Sequence, residues 1–226
     1  MNSGILGTGM VGRVLAAKMV ELGHDVMLGT RDVAALNART KPDGMGNPPF
    51  SVWHKDNRQV QVGEFAEAAA HGELLFNCTN GMASLGVLKQ AGAANLQGKV
   101  LIDIANPLDF SQGMPPSLSV SNTDSLGEQI QRAFPRVSVV KTLNTLNANL
   151  MVDPQQLAGG NHTIFVSGND ADAKAQVTTL LQQFGWQDII DLGDITTARG
   201  TEMLLPIWIR LMGALQTPMF NFKIVR

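Results

Sequence analysis

The sequence predicts an α/β protein in which a doubly wound, mostly parallel sheet carries helices on both faces. Three observations predict it. Short apolar runs alternate with stretches of helical periodicity from residue 3 to residue 216. The first apolar run passes through a glycine-rich turn directly into a helix. Strand, helix and strand then follow in an order that requires parallel pairing, because parallel neighbours need a crossover element.

Residues 3–6 form the first strand. Residues 10–22 follow with Val11, Val14, Leu15, Met19 and Leu22 on one side, and Gly23 is the C-terminal stop. Residues 25–29 are the second strand, after which Asp32 caps a helix running to about residue 39. Residues 41–50 are rich in Pro and Gly and form a loop, and Ser51 caps a short helix ending near residue 57. Strands at 60–62, 74–78, 99–104 and 137–141 alternate with helices at 64–70, 84–91 and 125–134. Residues 110–119, with Gly113, Pro115 and Pro116, form a second loop. A strand at 163–166, a helix at 171–184, a strand at 187–190 and a final helix over about 196–216 complete the chain.

Composition narrows the function. The 226 residues are 44% hydrophobic and 16% charged with a net charge of -2, which excludes disorder and the basic face that nucleic acid requires. The single cysteine, Cys78, forms no internal disulfide and fits a reducing, cytoplasmic compartment. No segment reaches the roughly 18 uncharged apolar residues of a membrane helix. The four histidines share no metal-ligand spacing, so no metal is expected.

Gly7-Thr8-Gly9-Met10-Val11-Gly12 matches G-x-G-x-x-G between a strand and a helix, the setting in which that string binds a dinucleotide. Gly7 permits the tight turn, Gly9 lets the backbone approach a pyrophosphate, and Gly12 allows close packing of helix on strand. The helix N-terminus offers free N–H groups to the phosphates. An NAD site places a carboxylate at the end of the second strand, but here the tip reads Leu28-Gly29-Thr30-Arg31-Asp32. Thr30 and Arg31 suit a 2′-phosphate, and Asp32 is accounted for as a helix cap, so NADP(H) is expected. The competing assignment makes Arg31 a solvated charge and Asp32 the ribose ligand.

Ligands of such a sheet sit beyond the carboxyl ends of its strands. The remaining tips present Thr79 and Asn80, Asn106 and Pro107, and Thr142 and Asn144, small hydrogen-bonding groups suited to a nicotinamide ribose and carboxamide. None of them is an acid, base or nucleophile, and no catalytic residue is assigned. Reducing a carbonyl needs a proton donor, whereas hydride transfer between a nicotinamide and a flavin-like ring needs mainly stacking geometry and a dry pocket. Lys141 and Asn144 lie three apart at a strand end, unlike the four-apart helical pair of β-hydroxyacid dehydrogenases.

The segments GILGTGMVG, GTRD, DIANPLDFS, VVKTLNTLNANLM and TEMLLPIWIRLMGALQTPMFN make the chain resemble the coenzyme F420-dependent NADP oxidoreductase family over nearly its whole length. The resemblance implies a Rossmann-like NADP-binding domain, residues 1–145, and a small C-terminal α/β cap, residues 146–226, ending in a long apolar helix. It implies a dimer that passes hydride directly between NADPH and a deazaflavin. It places NADP at Thr8, Gly9, Met10, Val11, Thr30 and Arg31, with nicotinamide contacts near Thr79, Asn80, Asn106 and Pro107. The acceptor pocket would be lined around Thr142, Asn144 and the last helix. The cytosolic domain of some membrane ferric reductases is similar and uses FAD, so coenzyme F420, FMN and FAD all stand as acceptors. Residues 50–57 and 106–121 depart from the compact archaeal pattern.

The last helix points to a homodimer by itself. From Met203 to Phe222 the only charge is Arg210, and apolar residues surround the axis, so burial on all sides is expected. Arg210 is expected to pair with Glu202 or with an anionic ligand. Two other functions fit a dinucleotide site: a dehydrogenase of small alcohols or acids, and a non-catalytic NADP(H) sensor.

Overall fold

The structure, a computed structural model, describes residues 1–43 and 46–226. Its first half is a run of parallel strands and helices: β1 (Asn2–Leu6), α1 (Met10–Glu21), β2 (Asp25–Thr30), α2 (Val33–Ala38), α3 (Phe50–Asp56), β3 (Gln61–Glu64), α4 (Phe65–His71), β4 (Leu74–Asn77), α5 (Gly81–Ala91), α6 (Ala93–Leu96) and β5 (Val100–Asp103). A two-residue pair, β6 (Leu108–Asp109) and β7 (Ser117–Leu118), forms a separate antiparallel ribbon. Then come α7 (Leu126–Ala133), β8 (Ser138–Lys141), α8 (Ala148–Val152), β9 (Thr163–Gly168), α9 (Ala171–Gln183), β10 (Asp188–Gly193), α10 (Ala198–Met203) and α11 (Leu205–Leu215).

The large strands form one sheet in the order β10-β9-β8-β5-β4-β1-β2-β3. From β3 to β8 every pairing is parallel, β9 runs antiparallel to β8, and β10 lies parallel to β9. Residues 146–226 therefore extend the sheet laid down by residues 1–145. The order reverses between β1 and β4, where successive crossovers pass to opposite sides and a crevice opens above the strand ends.

Alternation along the strands divides the core in two. Ile5, Leu74, Phe76, Ile102 and Val140 face α1, α8 and α9, meeting Leu15, Met19, Leu150 and Val177. Leu6, Leu75, Leu101 and Val139 face α4, α5 and α7, meeting Phe65, Ala68, Leu88 and Ile130. Both faces are covered, which is why the strands read as continuous apolar runs.

Several expectations need correction. The single helix expected over 196–216 is broken at Leu204, since Pro206 lacks the N–H that would continue the ladder and crowds the preceding turn. Burial all round that helix is not met within one chain, because Ile207 and Leu215 are 51% and 53% exposed. Ser51 is no cap, as α3 starts at Phe50 after Pro49. α5 begins at Gly81 because the Asn80 side chain caps it, accepting from the Met82 N–H.

Candidate functional site

The crevice is built first by its glycines. Gly7 has φ of +120°, and a Cβ there would lie 2.7 Å from the Cys78 carbonyl oxygen. A Cβ on Gly12 would lie 2.0 Å from the Gly7 carbonyl oxygen, so α1 can pack on the turn only with glycine there. Gly9 differs: a Cβ on it would meet nothing within 4 Å. It stands as N-cap of α1 with no capping side chain and no acid in the first turn, which leaves the leading amides available to an anion. Arg13 braces this turn, donating through Nε to the Thr8 carbonyl at 2.9 Å and through Nη1 to the Pro48 carbonyl at 2.6 Å, while its guanidinium lies 5.5 Å from the Phe50 ring centre.

The cleft has two lobes that share Cys78, Thr79 and Asn80. The first, about 510 Å³, is lined by Thr8, Gly9, Thr30, Arg31 and Arg39 among others. Asp32 is turned to cap α2, its Oδ1 accepting from the Ala35 N–H at 2.8 Å. Asp32 lines this lobe as well, beside Thr30 and Arg31 at the β2 tip, but one of its carboxylate oxygens is engaged in the α2 cap. Arg39, at the C-cap of α2, adds a second guanidinium to this lobe. Sequence reasoning missed it, because only the fold of α2 brings it back over the strand tips.

The second lobe, about 350 Å³, is lined by Val11, Asn106, Asn144, Met151, Leu205 and Trp208 among others. Asn106 and Asn144 clasp each other across the tips of β5 and β8: Asn106 Nδ2 donates to the Asn144 carbonyl at 2.8 Å, and Asn144 Nδ2 donates to Asn106 Oδ1 at 2.9 Å. Asn144 Nδ2 also donates to the Thr201 carbonyl at 3.2 Å, which ties α10 to the lobe. Thr79 is oriented by Asn77, whose Oδ1 accepts from the Thr79 hydroxyl at 2.7 Å.

Three expected site residues lie elsewhere. Thr142 is buried and its hydroxyl donates to the Phe165 carbonyl at 2.7 Å, so it bonds across to β9 and not into the cleft. Pro107 borders a smaller groove with Met82 and Ser119. Met10 opens α1 and lines neither lobe.

Beneath the strand tips lies a buried ion cluster that sequence reasoning did not find. Lys141 Nζ sits 2.9 Å from Asp103 Oδ2 and 2.8 Å from Glu202 Oε1, and also donates to the Ala105 carbonyl. Asp103 Oδ1 accepts from Asn77 Nδ2 at 2.8 Å. Glu202 accepts from the Leu126 and Gly127 amides at 2.8 and 3.0 Å. Burial alone would lower the Lys141 pKa, but the two carboxylates outweigh it and hold the ammonium charged. The expected Glu202–Arg210 pair is therefore not made, because Glu202 turns inward to Lys141 while Arg210 stands exposed on α11 past the break at Leu204. Burial, aided by Asp103, pushes the Cys78 thiol well above its ordinary pKa, so it stays protonated and is no nucleophile.

The family profile described as NADP oxidoreductase, coenzyme F420-dependent, matches residues 2–107. A solved structure from Arthrobacter sp. FB24, provisionally named an F420-dependent NADP-reductase, is 61% identical and superposes with a TM-score of 0.95 over 100% of this chain and 99% of that one. The F420-dependent NADP reductase of Methanothermobacter marburgensis is 27% identical over 213 residues, 91% of this chain and 89% of that protein. The metalloreductase STEAP3 of Rattus norvegicus is 28% identical over 215 residues, and the chain spans 37% of its length. With the nucleotide cleft and these relatives in agreement, the chain belongs to the coenzyme F420-dependent NADP oxidoreductase family.

Proposed function

We propose that this protein is an NADP-dependent oxidoreductase that passes a hydride between NADPH and a deazaflavin or flavin ring. When bound, NADPH supplies a hydride, two electrons with one proton, and reduction of the acceptor is completed by a proton from water. The first lobe suits the adenosine half: the Gly9 turn and the α1 amides face the pyrophosphate, and Thr30, Arg31 and Arg39 surround the 2′-phosphate. Thr79, Asn80, Asn106 and Asn144 offer hydrogen bonds to the nicotinamide end.

The observation that carries the reading is the lining of the second lobe. Among the described residues it holds no charged side chain, its thiol is protonated, and its walls are largely apolar. Such a site does not deliver a proton to a carbonyl. It suits two flat rings held together, which is what direct hydride transfer asks of a protein.

The test follows NADPH oxidation at the nicotinamide absorbance band with coenzyme F420, FMN or FAD. Steady turnover with one of these rings is expected. Turnover of a small alcohol or acid with no ring compound present, or no oxidation with any acceptor, would contradict the proposal. We further propose a homodimer, supported by the exposed apolar residues of α11, and a cytoplasmic setting, supported by the lone cysteine. No helix among the described residues is long and apolar enough to cross a membrane.

A further inference from the structure

We infer that Lys141 is a positioning residue for the nicotinamide: its ammonium ties together the polar groups at that end of the cleft and sets where they stand. This rests on the function proposed above. An ammonium has three N–H bonds, and here each has its own acceptor: Asp103 at the end of β5, the Ala105 carbonyl just beyond it, and Glu202 on α10. From each acceptor a path leads to the second lobe. The Ala105 carbonyl belongs to the peptide that carries Asn106, and both residues line the lobe. Asp103 Oδ1 accepts from Asn77 Nδ2 at 2.8 Å, and Asn77 Oδ1 accepts from the hydroxyl of Thr79, another lining residue, at 2.7 Å. Glu202 follows Thr201, whose carbonyl accepts from Asn144 Nδ2 at 3.2 Å. The paths thus end on Asn106, Thr79 and Asn144, three of the groups offered to the nicotinamide.

Stability alone is a poor reason for such a cluster. Taking one ammonium and two carboxylates out of water is costly, and apolar side chains of similar volume often serve a fold as well. The Lys141 and Asp103 side chains are nonetheless fully buried, and Glu202 is nearly so. What the charges add is a fixed arrangement, because a buried network with every donor matched is rigid. It locks β5, β8 and α10 to one another directly beneath the strand tips. Asp103 cannot even be exchanged for its amide without breaking a path. The new NH₂ group would face either the Asn77 amide nitrogen or the Lys141 ammonium, donor against donor in both cases.

The test compares wild type with Lys141→Met and with the milder Asp103→Asn, which keeps the side chain's shape should the first variant fail to fold. Calorimetry measures two probes: NADPH, and 2′-phospho-ADP-ribose, which has the adenosine half and no nicotinamide. Affinity for 2′-phospho-ADP-ribose should be unchanged in a folded variant. The advantage of NADPH over that probe should fall about tenfold, as misaligned hydrogen bonds require. Single-turnover hydride transfer at saturating NADPH should slow about a hundredfold, the effect of a small misplacement of a reacting ring. Equal losses for both probes would mean that the cluster only holds the fold, and an unchanged ratio of affinities would mean that it does not place the nicotinamide; either overturns the inference. If the wild-type protein passes hydride to no ring compound, the proposed function fails, while the two affinities still decide the role of Lys141.

Discussion

Two glycines of one turn, Gly9 and Gly12, separate binding from stability. Gly12 faces the Gly7 carbonyl so closely that any Cβ must move backbone, whereas Gly9 faces open space. Gly12→Ala is predicted to destabilise the protein by about 3 kcal/mol, the upper end of overpacking costs, read from urea unfolding. Gly9→Ala should leave the unfolding midpoint in place and weaken NADPH binding, because its methyl enters the space over the α1 amides. Unchanged nucleotide affinity would show that the pyrophosphate lies elsewhere. Lys141→Met should cost about 3–5 kcal/mol, since it strands two buried carboxylates and frees the Ala105 carbonyl. A variant of wild-type stability would mean that those carboxylates find other partners.

At the scale of elements, the C-terminal segment is fastened to β9 and β10. The Thr163 N–H donates to the Phe222 carbonyl at 2.9 Å, and the Ile224 N–H donates to the Thr163 hydroxyl at 3.0 Å. Asp188 accepts from Lys223 at 2.8 Å, Thr163 at 2.6 Å and Arg226 at 3.0 Å. The Lys223 hydrogen bond leads the effects that hold its carboxyl down at about 2. A carboxyl depressed in the folded state adds stability above its unfolded pKa of about 3.9, and loses it as pH falls from there toward 2. Hydrogen exchange at Thr163 and Ile224 should therefore be slower than in Asp188→Asn near neutral pH, with the difference shrinking as pH falls from about 4 through 2. A difference that does not shrink over that range would contradict the assignment.

The elements show what could be read from the residues alone. Periodicity located the main strands and helices closely, because each signal lies within one element. It overran Pro206, since the apolar run continues past the proline, and β6 and β7 are too short to alternate. The turn at Gly7 and the Thr30–Arg31 tip were legible because each is a contiguous string. The Lys141–Asp103 contact joins residues 38 apart, and Asn106–Asn144 joins another such pair, so only the folded sheet reveals them.

At the scale of the molecule, one continuous sheet sets the nucleotide cleft at the reversal between β1 and β4. Its C-terminal helices close the second lobe with Leu205 and Trp208 while Ile207 faces outward, 51% exposed. If α11 forms the dimer face, Ile207→Glu should convert a dimer to a monomer in sedimentation with little change in unfolding of the single chain. Sedimentation of the wild-type chain as a monomer would exclude that face.

The choice of coenzyme underlies the whole functional reading, and it rests on the Arg31 guanidinium lining the cleft while Asp32 Oδ1 is engaged in capping its helix. Titrating wild type and Arg31→Ala with NADPH and with NADH measures it directly. NADPH affinity should fall about tenfold or more in the variant, as expected for lost charge-assisted hydrogen bonds, with NADH affinity nearly unchanged. Equal losses for both coenzymes would contradict recognition of the 2′-phosphate by that guanidinium.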